Sequence, residues 1–246
     1  MHDKPTQSVI WGNGLLGSAL KGHEEEFNQL NLSIIAAGVS DSKNATDADY
    51  HREVSFLEKI LSMSSNSRRH ILYISTHSVN DTSLQNEKYV QTRLYNEALI
   101  QQHNPNHTIL RLTNIVGHKG NPTNILKFFG HCVRQNISFQ AWKNTLRNFV
   151  DAEDVGEFIL WAAKNGNLKN SLELIHPISY EIRDIITALE GHYNTMAQIE
   201  CLEKPRNTFP TNAYSKQFFE NHSIHEPTAY LEGLLQKYFP RNPTMP

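Results

Sequence analysis

Near its start the chain passes from an apolar run, Ser8-Val9-Ile10-Trp11, into Gly12-Asn13-Gly14-Leu15-Leu16-Gly17. Apolar residues at helical spacing follow at once: Leu15, Leu16, Ala19 and Leu20. Strand, tight glycine turn and helix in that order leave few folds open, because together they begin a βαβ unit. Glycines at 12, 14 and 17 permit the sharp turn, the close approach of a pyrophosphate and tight packing of helix on strand. Alone, the pattern also fits a turn that binds nothing. Its usual companion is a carboxylate about 20 residues on, which holds ribose hydroxyls. Here that distance falls on Ala36-Ala37-Gly38, where no carboxylate stands.

Further buried strands are predicted at Leu32–Ala37, His70–Ser75 and Thr108–Leu112. Between them come a polar loop over Ser40–Asp49, a helix over Glu53–Met63 with apolar residues at 56, 57, 60 and 61, and a helix over Tyr89–Gln102. Strands alternating with helices predict a parallel sheet with helices on both faces. Beyond Gly117 the spacing predicts a helix over Asn124–Arg134 and a short strand over Arg147–Val150. Asp151 is expected to cap a helix reaching Ala163, with Glu153 and Asp154 in its first turn. A strand over Leu172–Ile175 and helices over Tyr180–Glu190 and Ala229–Tyr238 complete the chain.

With 246 residues there is room for one large α/β domain, or a domain with a small satellite. Hydrophobic residues at 39% and charged residues at 20% exclude a disordered, collagenous or coiled-coil protein. The net charge of −2 supplies no basic field for nucleic acid or an anionic membrane. No apolar stretch approaches the roughly 18 residues of a membrane helix, and the first residues carry no signal-peptide core. Cys132 and Cys201 stand without metal-ligand spacing. No metal site is expected, a reducing cytoplasm is the expected compartment, and both cysteines are expected to be buried as small hydrophobes.

Five further segments, in order, resemble the extended short-chain dehydrogenase/reductase family, the nucleotide-sugar epimerases and dehydratases. Ile34-Ile35-Ala36-Ala37-Gly38 is similar to the end of that family's fourth strand. Ile74-Ser75-Thr76-His77-Ser78-Val79 resembles its fifth, with Thr76 at the catalytic Ser/Thr position. Tyr89-Val-Gln-Thr-Arg93-Leu-Tyr-Asn-Glu97 resembles Y-x-x-x-K-x-x-x-E, with Arg93 in place of the lysine. Leu110-Arg111-Leu112-Thr113-Asn114-Ile115-Val116-Gly117 and Arg147-Asn148-Phe149-Val150-Asp151-Ala152-Glu153-Asp154-Val155 resemble two later motifs.

The resemblance implies a Rossmann-like parallel sheet that lacks the usual second and third strands, with a small mixed C-terminal lobe. Only Lys21–Asn31 separates the first helix from the strand that resembles the family's fourth, and one βαβ unit takes about 30 residues. The missing carboxylate therefore has a structural cause. Joining the first helix directly to that strand would also force a left-handed crossover, found in only about 2% of cases. Either residues 23–31 keep an extended remnant or the first helix sits on the opposite face, which would spoil the pyrophosphate geometry; the remnant is the expectation. The nucleotide-binding domain is expected over 1–117, completed by about 147–178, and the lobe over 118–146 and 179–246.

By the same resemblance NAD or NADP is the cofactor, held by Gly12, Asn13, Gly14, Leu15, Leu16, Gly17, Ala36, Ala37, Gly38 and Asn114. Tyr89 is the acid/base, Thr76 orients the substrate oxygen, and Arg93 supplies the positive charge that a phenol of pKa near 10 needs. Arg93 lies one helical turn from Tyr89 on the same face, although its planar fork does not reproduce a lysine contact. His77, His118, Asn124 and Arg147 are candidates for holding the substrate. His77 and His118 also suit loop residues, and Arg147 also suits an ion pair with Glu153 or Asp154. The implied reaction is epimerisation or keto-reduction of a nucleotide-activated sugar, in surface polysaccharide biosynthesis, by a homodimer. The alternative is a non-redox relative that binds a nucleotide or sugar nucleotide as a sensor or partner subunit.

Overall fold

The computed structural model describes residues 9–64, 68–203, 209–221 and 227–241, so Ser8 of the first predicted strand lies outside the described residues. In chain order the elements are β1 (Ile10–Trp11), α1 (Leu15–Leu20), a 3-10 turn (Lys21–His23), α2 (Glu24–Gln29), β2 (Leu32–Ile35), α3 (Asp47–Ser64) and β3 (His70–Thr76). Two 3-10 turns (His77–Asn80 and Thr82–Leu84), α4 (Lys88–His103), β4 (His107–Leu112), β5 (Asn114–Val116), α5 (Ile125–Gln135), β6 (Phe139–Trp142), β7 (Leu146–Arg147) and β8 (Phe149–Asp151) follow. The rest is α6 (Ala152–Lys164), β9 (Ser171–Leu174), β10 (Tyr180–Glu181), α7 (Ile182–Tyr193), β11 (Ile199–Leu202), α8 (Ala213–Asn221) and α9 (Pro227–Tyr238). Two compact units result: the described residues up to Leu112 with Ala152–Leu174, and Thr113–Asp151 with the described residues from Ile175 on.

The first unit holds a five-stranded sheet in the order β1-β2-β3-β4-β9, parallel throughout. Side chains alternate across it. Ile35, Ile71 and Tyr73 pack with Leu57, Ile60 and Leu61 of α3 and Ile100 of α4. Ile34 and Leu72, on the other face, are fully buried. That face is covered by α1, α2 and α6: α1 packs on α6, α2 on β2, and Leu20, Phe27 and Phe158 are buried there. Among the described residues β1 lies at the sheet edge and pairs with β2 alone.

No extended remnant bridges residues 23–31. The segment is α2, and Asn31, at φ 57°, turns the chain into β2. Glu24, Glu25 and Glu26 occupy the first turn of α2, where carboxylates complement the helix dipole, and Phe27 anchors it. β1–α1–α2–β2, β2–α3–β3 and β3–α4–β4 all step in the same direction across the sheet. The first runs over one face and the other two over the opposite face, so the first has the opposite hand. It is the rare left-handed crossover.

The predicted loop over Ser40–Asp49 is shorter than expected, because α3 starts at Asp47 and not at Glu53. Thr46 N and Oγ1 donate to Asp49 Oδ2 at 2.8 and 2.6 Å, and Asp49 N donates back to Thr46 Oγ1 at 3.4 Å. This is a reciprocal cap written in the sequence as Thr46-Asp-Ala-Asp49.

The second unit contains three two-stranded ladders: β5–β8 and β6–β11 parallel, β7–β10 antiparallel. Helices α5, α7 and α9 bury Leu126, Phe129, Val133, Ile185, Leu189, Leu234 and Leu235 with Phe139 and Phe149. The β5–β8 ladder brings 114–116 and 149–151 together in this unit, whereas the sequence places them in the nucleotide-binding domain. The predicted strand 147–150 is broken at Asn148. Cys132 is buried, whereas Cys201 is exposed on β11. The Asp151 carboxylate accepts from Tyr238 Oη at 2.6 Å and Lys237 Nζ at 2.9 Å. Among the described residues no helix is long and apolar enough to cross a membrane, and no cluster of three His, Cys, Asp or Glu side chains is placed to hold a metal.

Candidate active site

In the first unit the ends of β1, β2 and β3 bring the glycine turn, Ala36-Ala37-Gly38 and Thr76 to one edge of the sheet, as the register Ile10↔Ile34, Trp11↔Ile35 and Ile35↔Tyr73 requires. Gly12 has φ 134°, and a Cβ there would lie 2.4 Å from the Ala36 carbonyl oxygen. At Gly17 it would lie 2.3 Å from the Gly12 carbonyl oxygen. Both glycines are therefore demanded by the chain itself. Gly14 differs. Its φ of −72° suits any residue, and a Cβ there would meet nothing within 4 Å. Leu15 and Leu16 open α1, and Ser18 Oγ donates to Asn13 O at 3.3 Å. The turn is tight beneath and open above, a shape that fits a pyrophosphate.

Beside it a buried polar network surrounds Arg93. Arg93 Nη1 donates to Tyr73 Oη at 3.0 Å and lies 3.3 Å from Glu53 Oε1, while Nη2 donates to Val39 O at 3.0 Å. Glu53 accepts from Val39 N at 2.6 Å and from Asn96 Nδ2 at 2.8 Å. Arg93, Glu53 and Asn96 are all buried, with Arg93 Nε and Asn96 Oδ1 unpartnered. Burial works against the guanidinium charge, but Tyr73, Tyr89 and Glu53 more than offset it, so its pKa is raised. The fork also fills the space a Cβ of Gly38 would take, 2.6 Å from that position. Arg93 meets Tyr89 through the ring face, at 5.2 Å from the centroid.

Tyr89 stands in the first turn of α4, half-buried. Thr76 ends β3 and accepts from Ser78 N at 3.2 Å, and no hydrogen bond joins the two hydroxyls. A second network fixes this strand end. Ser75 Oγ donates to Glu97 Oε1 at 2.5 Å, and Arg111 grips Glu97 at 3.1 and 2.6 Å. Asn80 links Arg111 (3.2 Å) to Glu173 (2.6 Å), and His77 Nδ1 lies 3.5 Å from Glu173. The His77 hydrogen bond first, then Asn80, hold the Glu173 carboxyl below its ordinary value.

The other predicted residues belong to the second unit. Asn114 donates from N and Nδ2 to Asn148 O at 3.2 and 2.9 Å. Asn124 caps α5, accepting from Leu126 N at 3.1 Å. His118 is exposed, edge-on to Tyr238 with ring centroids 4.8 Å apart. Arg147 forms no ion pair with Glu153 or Asp154; it is half-buried, donates to Leu146 O at 3.2 Å, and burial alone lowers its pKa. A guanidinium desolvated with no counterion among the described residues suits a phosphate.

Sequence reading missed Glu53 and Asn148. Glu53 shares the buried stripe of α3 with Leu57, Ile60 and Ser64, so a carboxylate on an apolar helical face was the available signal. Asn148 holds His176 O, Ile178 O and Ser179 Oγ at 2.8 to 3.0 Å and accepts from Thr113 Oγ1 at 2.9 Å.

A sequence profile described as the NAD dependent epimerase/dehydratase family matches residues 26–174, more than half of the chain, starting after the glycine turn. No curated protein sequence matches. Among solved structures, RMD from Pseudomonas aeruginosa complexed with NADPH superposes with a TM-score of 0.71 at 15% identity, covering 94% of this chain and 98% of that one. A dTDP-4-dehydrorhamnose reductase ortholog from Clostridium acetobutylicum gives 0.68 at 15% identity, over 92% and 97%. UDP-glucuronic acid 4-epimerase from Bacillus cereus in complex with NAD gives 0.66 at 15% identity, over 93% and 90%. The likeness extends from the sheet to the second unit, and the matched profile includes both Thr76 and the Tyr89 helix: the chain belongs to the NAD-dependent epimerase/dehydratase family.

Proposed function

We propose that the protein is an NAD(P)-dependent epimerase or keto-reductase acting on a nucleotide-activated sugar, supplying precursors for surface polysaccharide. The observation that carries the cofactor half is Gly14. Gly12 and Gly17 are needed by backbone contacts, but Gly14 is not, so a glycine there answers to something that approaches from outside the chain. Bound NAD(P) supplies hydride exchange at a sugar carbon; the chain binds, orients and moves the proton. Tyr89 Oη takes the proton from the sugar hydroxyl or returns it to the carbonyl oxygen. Thr76 Oγ1 orients that oxygen, and Arg93 contributes positive charge beside the Tyr89 ring. In the second unit Arg147 forks onto the nucleotide diphosphate, with Asn114, His118 and Asn124 as further polar contacts, and in the first unit His77 offers a polar contact to substrate. The exposed Leu94 and Tyr95 on α4 support a homodimer through that helix.

Tyr89→Phe tests the assignment. The variant is expected to keep its fold and its dinucleotide affinity while sugar-nucleotide conversion is abolished; unchanged turnover removes Tyr89 from the mechanism. One observation favours a second reading, a non-redox binder of sugar nucleotides. The Arg93 fork is engaged by Glu53, Tyr73 and Val39, which leaves less of its charge for Tyr89. Sugar-nucleotide binding without any NAD(P) binding would select that reading.

A further inference from the structure

We propose that the adenosine half of the dinucleotide lies in a cleft between the 38–45 loop and α3, and that this cleft selects NAD over NADP. The inference rests on the dinucleotide reading above. With β1 at the sheet edge and no carboxylate on Ala36-Ala37-Gly38, the place where such folds hold the adenosine ribose is gone. The cleft encloses about 640 Å³, within the roughly 300–1,000 Å³ of small-molecule sites.

Its position follows from the aromatic residues. Phe56 lines it with 40% of its surface exposed. The Phe56 ring meets Trp11 edge-on with centroids 6.5 Å apart, and Trp11 immediately precedes Gly12. Trp11 Nε1 donates to Ser33 Oγ at 3.1 Å, which fixes the indole. The cleft therefore joins the glycine turn through two packed rings, and Phe56 presents a face on which a purine can stack. Ser40 and Asn44 offer polar groups for the edges of the base.

Charge decides between the two dinucleotides. Asp41, Asp49 and Glu53 line the cleft with Arg52; Asp49 is paired with Arg52 and Glu53 with the buried Arg93, while Asp41 accepts from Asn44 Nδ2 at 2.8 Å, which leaves Asp41 as the carboxylate that decides. Carboxylates accept from ribose hydroxyls but repel a 2′-phosphate.

Calorimetric titration of the full chain with NAD⁺, NADP⁺, ADP and nicotinamide mononucleotide tests this. NAD⁺ is expected to bind about tenfold more tightly than NADP⁺. Phe56→Ala should weaken NAD⁺ and ADP about tenfold and leave nicotinamide mononucleotide unchanged. Asp41→Lys, at a half-buried position of the loop, should bring the two dinucleotides to comparable affinity in a chain shown to be folded. NAD⁺ binding that Gly14→Asp abolishes but that ignores both Phe56→Ala and Asp41→Lys overturns the cleft and leaves the dinucleotide reading intact. NADP⁺ binding as tightly as NAD⁺ overturns the selectivity. If neither binds the folded wild-type chain, the dinucleotide reading fails and the cleft with it.

Discussion

His176 gives the second unit a calculable sensitivity to acid. It is 1% exposed, stacked on Tyr230 with centroids 3.9 Å apart and planes within 10°, and meets Phe219 edge-on at 4.6 Å. Nδ1 accepts from Ile178 N at 3.1 Å, and Nε2 has no partner. Burial pushes the pKa down from 6.5 to about 4. The unfolded chain titrates at the ordinary value, so between these limits it binds a proton that the folded chain refuses. Stability is therefore complete above pH 6.5, falls as pH drops through the window, and levels off below about 4. That depression corresponds to roughly 3 kcal/mol in all, of which about 2 kcal/mol is lost by about pH 5. Urea unfolding of wild type and His176→Phe at about pH 7.5 and about pH 5 isolates this contribution, since the phenyl ring keeps the stack without the proton. The wild type should lose about 2 kcal/mol more than the variant over that interval. Equal losses would refute the reasoning. The functional consequence runs through Asn148, which accepts from His176 N at 3.1 Å and donates to His176 O at 2.8 Å. Its own carbonyl receives both Asn114 donors.

The two kinds of glycine should separate cleanly: Gly12→Ala is expected to cost about 2–4 kcal/mol by thermal or urea unfolding. Gly14→Ala should stay within about 0.5 kcal/mol of wild type yet weaken dinucleotide binding in calorimetry. Removing the carboxylate beside Arg93, in Glu53→Ala, should destabilise the first unit by about 3–5 kcal/mol in urea, because a buried cation loses its partner. Arg147→Met should leave stability unchanged or slightly higher, since it removes a desolvated charge, while sugar-nucleotide affinity measured by calorimetry falls about tenfold or more.

The sheet was legible because its strands are short buried runs separated by helical periods, and the parallel order needs nothing else. The absence of two strands was legible from the eleven residues between Leu20 and Leu32. How that gap is bridged was not: a short amphipathic stretch around Phe27 suits a strand or a helix, and packing on the sheet decides. Tyr89 and Arg93 were readable as i, i+4 neighbours, but the partner that engages Arg93 lies 40 positions earlier, in a different helix. Residue spacing carries no signal for such a pair. The small ladders of the second unit were poorly legible, since strands of two to four residues leave no period to read.

The position of β1 carries a hazard that the glycine after it limits. A parallel sheet stripped of its outer strands exposes a row of unpaired amides and carbonyls, which is a template for another chain. Among the described residues that row covers Val9, Ile10 and Trp11, and Gly12, at φ 134°, ends it on its C-terminal side. The same glycine that shapes the turn thus also limits how far an incoming strand could pair along this edge.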